Sequence, residues 1–315
     1  MLPLAAASGM GGGRKQVMRI FLTGATGYLG STVCAALLRA GHEITALARP
    51  SGKTRRLASL GVKVLLADLS DPATYRDAAE GFDAYVHMAY DSSPRGAEMD
   101  RAVIETLRER AWRASKSAFI YTSGVWVLGS SREPMDESAP VNPTPMVAWR
   151  AEHEPMVLEA NGGGMRAIVV RPGIVYGGSD GIISGMLREA DNSIMRVIGT
   201  GENHWPMIYD RDLADLYVKL IAHPEASGIF HATDDGEERV IDLVKAMSRH
   251  VEFTPEIRYM PLPEARAKLG TYADALALDQ IVRSPRAKEI GWHPTLKSAS
   301  RNVPRLFEEW RNGRG

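Results

Sequence analysis

Gly24-Ala25-Thr26-Gly27-Tyr28-Leu29-Gly30 is the stretch whose reading decides the fold of this chain. It follows the apolar run Ile20-Phe21-Leu22, which predicts a buried parallel strand, and precedes Val33, Leu37 and Leu38, spaced along one face of a helix. A strand, a glycine-rich turn and a helix form a phosphate cradle. Gly24 permits the sharp turn, Gly27 lets backbone N–H groups approach a pyrophosphate, and Gly30 lets the helix start pack on the strand, where the helix dipole favours an anion. The spacing G-x-x-G-x-x-G is one residue longer in its first interval than the standard dinucleotide fingerprint. The flanking strand and helix therefore carry the reading of dinucleotide binding over that of a purely structural turn.

Working outward, His42–Ala48, Val62–Ala67, Ala84–Ala89, Ala118–Tyr121 and Ala167–Arg171 read as further strands. They alternate with helical patterns, the longest over Glu98–Ala114 and Val147–Ala160. That rhythm predicts the α/β class: a doubly wound parallel sheet (Rossmann) over residues 18–177, with 207–232 returning to it. Residues 178–206 and 233–315 break the rhythm and are expected to form a smaller C-terminal substrate-binding lobe. A loop rich in proline (Pro134, Pro140, Pro143, Pro145) is expected to lack extended regular structure. Residues 1–17 are read as a disordered leader, so that the fold begins at Met18.

The chain has 315 residues and a formal net charge of zero, with acids and bases interspersed. This argues against a nucleic-acid or membrane-surface partner and for a small-molecule substrate. Cys34 is the only cysteine, so neither a disulfide nor a thiolate metal site is available, and the eight histidines show no metal-ligand spacing. No metal is expected. No stretch approaches the roughly twenty apolar residues of a membrane span, and the expected setting is cytoplasmic.

In doubly wound sheets ligands lie outside the carboxyl ends of the strands. By that rule the groove for the dinucleotide takes in Gly24, Thr26, Gly27, Tyr28, Leu29 and Gly30 at the first strand end. Arg49 stands at the second, where a cation suits a ribose 2′-phosphate and a carboxylate would suit a free hydroxyl. With Lys53, Arg55 and Arg56 close behind, Arg49 favours NADP(H) as cofactor. Asp68, with Leu69 beside it, is placed to accept from the adenine amino group or to cap the helix that follows. Met88 and Ala89, at the fourth strand end, line the same crevice.

Several segments together resemble the extended short-chain dehydrogenase/reductases, the family of NAD-dependent epimerases, dehydratases and dihydroflavonol-type reductases. They are the glycine turn, Val86-His87-Met88-Ala89, Tyr121-Thr122-Ser123 before a glycine, Arg171-Pro172-Gly173-Ile174-Val175-Tyr176-Gly177, Met207-Ile208-Tyr209-Asp210-Arg211-Asp212-Leu213-Ala214, and Arg286-Ala287 with Gly291-Trp292-His293-Pro294. The resemblance implies cofactor contacts from Thr122, Pro172 and Val175. It also implies a catalytic serine, tyrosine and lysine, the last two separated by four residues on one helix face. None of the ten tyrosines has a lysine four residues later. Aligning Glu154 with the family's helix glutamate puts Arg150 at the lysine position and Met146 at the tyrosine position, and counting back from Gly129 puts Gly124 at the serine position.

Arg150 can still hold the nicotinamide ribose, although a guanidinium does not shuttle protons. The expectation is thus an NADP(H)-dependent oxidoreductase, of carbonyl reductase or alcohol dehydrogenase type, with a non-standard active site and a small, fairly apolar substrate. Tyr90, Ser123, Tyr176 and His204 are the candidate proton donors. Two alternatives stand beside it: a non-catalytic NADP-binding sensor or scaffold, and an isomerase or lyase on the same fold. A homodimer through the two long helices is a family-level expectation.

Overall fold

The computed structural model describes residues 16–114 and 116–313. The leader expected over residues 1–17 lies, apart from its last two residues, outside them. Seven parallel strands form the central sheet, in the order Gly228–Ala232, Arg166–Pro172, Ala118–Thr122, Ala84–His87, Arg19–Thr23, Glu43–Ala48, Lys63–Leu66. The chain leaves the first strand in one direction and returns on its other side after the third, so the order reverses beside Arg19–Thr23. Such a switch point opens a crevice at the strand carboxyl ends.

Alternation of side chains loads both faces of the sheet. Ile20 and Leu22 point to one face and pack with Val33 and Leu37 of the helix Tyr28–Arg39 and with Leu213 and Tyr217 of the helix Asp210–Ala222. Phe21 points to the other, joining Tyr85 and Phe119 beneath Val103 and Leu107 of the helix Gly96–Arg113 and Val157 of the helix Ala148–Leu158. All five strand residues named here are fully buried. A third cluster, with Ile183, Leu187, Trp205, Leu243, Phe307 and Trp310, packs outside the central sheet.

The strand Gly228–Ala232 adds to the sheet edge beside Arg166–Pro172. The proline-bearing loop differs from expectation: Ser131–Met135 is a strand, paired in parallel with Gln280–Val282. Pro134 is compatible with it because a two-stranded ribbon has an outer edge that needs no donor.

Candidate functional site

At the switch point the glycine turn is packed too closely against backbone to admit side chains at Gly24 and Gly30. A Cβ on Gly30 would stand 2.1 Å from Gly24 O, and one on Gly24, whose φ is +80°, would stand 2.7 Å from Ala89 N. The N–H of Gly27 itself donates to Gly24 O (2.9 Å), which closes the turn. The helix that begins at Tyr28 has no side-chain cap and no acid in its first turn, so its amino end is left to an external anion. Gly24, Thr26, Gly27, Tyr28, Leu29 and Gly30 line one side of a groove of about 430 Å³. Arg49, Asp68, Leu69, Met88 and Ala89, each following a strand, line it too, together with Gly96, Met99 and Val103 of the long helix.

Lys53 Nζ reaches back to Thr26 O (3.2 Å), tying the basic helix Gly52–Ser59 to the glycine turn. Asp68 accepts from Ser70 N and Ser70 Oγ (2.8 Å each), and these bonds hold its carboxyl below the usual carboxylate range.

A second cavity, about 280 Å³, shares Tyr28, Leu29 and Tyr90 with the groove and continues it. Thr122, Arg150, Pro172 and Val175 line it. So do Gly124 and Met146: the three positions that the family resemblance assigns to serine, tyrosine and lysine converge on one cleft, carrying glycine, methionine and arginine. A Cβ on Gly124 would meet nothing closer than Pro172 O at 3.9 Å, so no steric conflict demands glycine there. Trp126 and Trp149 add to the walls, and most of the lining is apolar.

Arg150 is fixed by its surroundings. Its Nη1 donates to Thr122 O (2.7 Å) and Tyr121 Oη (3.2 Å), and its guanidinium lies 4.3 Å from the Trp149 ring and 5.6 Å from that of Tyr90. Behind it runs a buried network that no local pattern in the sequence announces. Asp100, 6% exposed, accepts from Tyr121 Oη (2.9 Å), His153 Nδ1 (2.7 Å) and His87 Nε2 (3.1 Å). On the far side of the His87 ring, Nδ1 lies 2.7 Å from Thr23 Oγ1, which accepts from Met88 N and Ala89 N (3.3 Å each). Burial alone would raise the Asp100 pKa, but the bonds from His153 and His87 outweigh it and hold the carboxyl well below its ordinary range. Burial, opposed by Arg150, keeps the Tyr121 phenol protonated far above its usual value. The network therefore joins the crevice strand ends to Arg150 through an ionised carboxylate.

Of the four candidate proton donors, Tyr90 and Ser123 line the cleft, and Tyr90 alone also lines the groove. Its ring stacks parallel to Trp149 (3° between planes, centroids 6.4 Å apart), and it is 57% exposed. Ser123 lines the cleft, but its hydroxyl donates to Glu154 Oε1 (2.5 Å), a carboxylate pinned by Arg171 Nε (3.0 and 3.2 Å), so the proton is already committed. Tyr176 is a correction: it is fully buried in the third cluster and donates to Asp234 Oδ2 (3.1 Å) and Leu296 O (3.0 Å). His204 is another, because it is absent from the cleft lining and, on the short strand His204–Trp205, its Nδ1 lies 2.8 Å from Asp279 Oδ1. Among the described residues no group of His, Cys, Asp and Glu could hold a metal, and no helix is long and apolar enough to cross a membrane.

Fold and crevice together define a nucleotide-cofactor-binding α/β protein of the oxidoreductase kind. The family model described as the NAD dependent epimerase/dehydratase family matches residues 20–232, and the chain belongs to that family. An uncharacterized protein of Schizosaccharomyces pombe is 29% identical over 286 residues, which cover 88% of this chain and 95% of the yeast protein. A 4-hydroxy-2-methyl-3-oxo-4-farnesyl-3,4-dihydroquinoline-1-oxide ketoreductase of Stigmatella aurantiaca is 33% identical over 173 residues, 52% of each chain. Among solved structures, the human epimerase family protein SDR39U1 (isoform 2) with NADPH superposes with a TM-score of 0.75 at 19% identity, covering 92% of this chain and 99% of the human one.

Proposed function

We propose that this protein is an NADP(H)-dependent reductase or dehydrogenase acting on an apolar carbonyl compound or the matching alcohol. The observation that carries the reading is the continuity of the glycine-turn groove with an apolar cleft through Tyr28, Leu29 and Tyr90. Arg49 and Lys53 supply the positive charge that a 2′-phosphate requires, and a carboxylate at the Arg49 position would repel it. The human relative with NADPH and the Stigmatella ketoreductase support the same direction.

A nicotinamide cofactor bound in the groove supplies the hydride. Arg150, fixed by Thr122 and Tyr121, holds the ribose end and lends positive charge near the reacting oxygen. Tyr90 is the group that delivers the proton. Trp126, Trp149 and Met146 exclude water and orient the apolar part of the substrate. General acid help is worth typically about 10²–10⁴-fold, so Tyr90→Phe should lower kcat within that range while leaving the Kd for NADPH unchanged.

The test is spectroscopic: titrate NADPH and NADH, then follow reduced-nicotinamide absorbance against a panel of aldehydes and ketones. Turnover with NADPH supports the reading. Tight NADPH binding without turnover of any member would replace it with that of an NADP-binding sensor, a role that Met146 and Gly124 at the family's tyrosine and serine positions favour.

A further inference from the structure

The cleft does not end at Ile182. Beyond Gly181 and Ile182, which it shares with the cleft, lies a crevice of about 630 Å³. It is walled by the helix Gly181–Asp191, by Trp205, and by Leu269, Tyr272 and Leu276 of the helical segments Leu262–Leu269 and Tyr272–Leu276. Trp126 of the cleft meets Tyr272 of the crevice edge to face, with centroids 6.1 Å apart, so the two spaces adjoin along one aromatic edge.

The charged and amide groups of this crevice are already paired. Arg196 is paired with Glu189 and Lys268 with Glu264. Asn203 Nδ2 donates to Leu276 O and Leu278 O, and Trp205 Nε1 to Leu276 O. Among the described lining residues no unpaired cation remains to receive a diphosphate, whereas Met186, Val197, Val240 and Met260 present apolar surface.

Gly185 adds an independent observation. It sits inside the helix Gly181–Asp191, where glycine is unfavourable relative to alanine. A Cβ built there meets nothing within 4 Å, and the residue faces the crevice. No packing requirement accounts for glycine at this position. What its missing side chain does is keep the crevice wide.

We infer that the substrate carries a long apolar chain, its carbonyl end in the cleft beside Tyr90 and its tail in the crevice past Gly185, and that the substrate is not a nucleotide sugar. The inference rests on the proposed carbonyl reduction for the position of the reacting end. Its tail-binding part stands on the crevice alone.

The experiment uses the full chain with 2-alkanones from 2-butanone to 2-dodecanone, in wild type, Gly185→Ala and Gly185→Phe. NADPH oxidation gives kcat/KM, and quenching of tryptophan fluorescence gives binding whether or not turnover occurs. Burying a methylene is worth about three- to fourfold, so kcat/KM and affinity should climb by that factor per added carbon in wild type and Gly185→Ala. In Gly185→Phe the climb should flatten for the longer members, with the thermal midpoint preserved. Turnover of all homologues with no dependence on length would overturn the tail site while leaving the reduction in place. Binding that climbs with length and is lost in Gly185→Phe, without any turnover, would support the tail site and remove the reduction. Length-independent binding, or quenching by UDP-glucose at comparable concentration, would overturn the inference.

Discussion

Asp210 opens the helix Asp210–Ala222 directly beneath the cofactor turn, and its replacement by asparagine should make the protein more stable at neutral pH. The carboxyl is 7% exposed; Thr32 Oγ1 donates to its Oδ2 (3.4 Å), and Oδ1 has no partner. Burial, reinforced by the Glu309 carboxylate, raises its pKa to about 6. In the unfolded chain the value is about 3.9. Between these two values the folded protein keeps a proton that the unfolded chain has lost, so stability falls as pH rises through the window. At about 1.4 kcal/mol per unit over roughly two units, ionised Asp210 costs the folded state about 3 kcal/mol at pH 7.5. Asp210→Asn removes that term but leaves its amide N–H₂ in the unpartnered position, which takes back about 1–2 kcal/mol. Urea unfolding followed by circular dichroism at pH 4.0, 6.0 and 7.5 checks it. The variant should gain on the order of 1–2 kcal/mol over wild type at pH 7.5 and lose its advantage by pH 4. A wild-type stability that stays flat from pH 4 to pH 6, or a pH dependence identical in the variant, would refute the assignment of a raised pKa to this buried carboxyl.

Arg49→Asp should weaken NADPH by about 10- to 100-fold, the worth of a charge-assisted bond to phosphate, with little effect on NADH; equal losses in isothermal titration would remove the 2′-phosphate assignment. Gly30→Ala drives a Cβ into backbone at Gly24 O, so it should lower the thermal midpoint by several degrees and abolish dinucleotide binding together, whereas a variant that binds normally would mean that the turn relaxes easily. Arg150→Ala should weaken cofactor binding by about tenfold through loss of a fixed donor. Arg150→Lys should recover only part of that, because one ammonium cannot reproduce the planar fork held against Thr122 O and the Trp149 ring; unchanged affinity in both variants would detach Arg150 from the cofactor.

The central sheet was legible because its determinants are local. The apolar runs around Phe21, Val86 and Ile120, the glycine turn and the helical spacing between them act within about ten residues, and together they specify strand, turn and helix. The groove followed from them by the strand-end rule, which is why Arg49, Asp68, Met88 and Ala89 could be placed on it from sequence. The proton donors could not be sorted in the same way. Whether Tyr176 faces a cleft or the Asp234 carboxylate is decided by a partner 58 residues away, and the hydroxyl of Ser123 is committed to Glu154, 31 residues on. Asp100 drew no attention because its partners, His87, Tyr121 and His153, lie on three other elements that only the folded sheet assembles. The one trace of them in the sequence is the histidine of Val86-His87-Met88-Ala89, which stands at a buried strand end where an imidazole needs a partner.

That network bears on what the altered cleft means. A carboxylate taken out of water is strongly destabilising unless its lone pairs are met, and partial loss of such a network leaves an uncompensated charge. A site whose chemistry had merely decayed would show this at Arg150, the one residue that reaches from the network into the cleft. Here Arg150 has two oxygen acceptors and an aromatic face, Tyr121 passes its proton on to Asp100, and Asp100 has three donors. What an ammonium would not supply is the planar face that lies 4.3 Å from the Trp149 ring, since both oxygen acceptors are met by the one nitrogen Nη1. Gly124 is open, and Met146 and Trp149 add apolar surface to the same cleft. The cleft is thus internally consistent around a guanidinium.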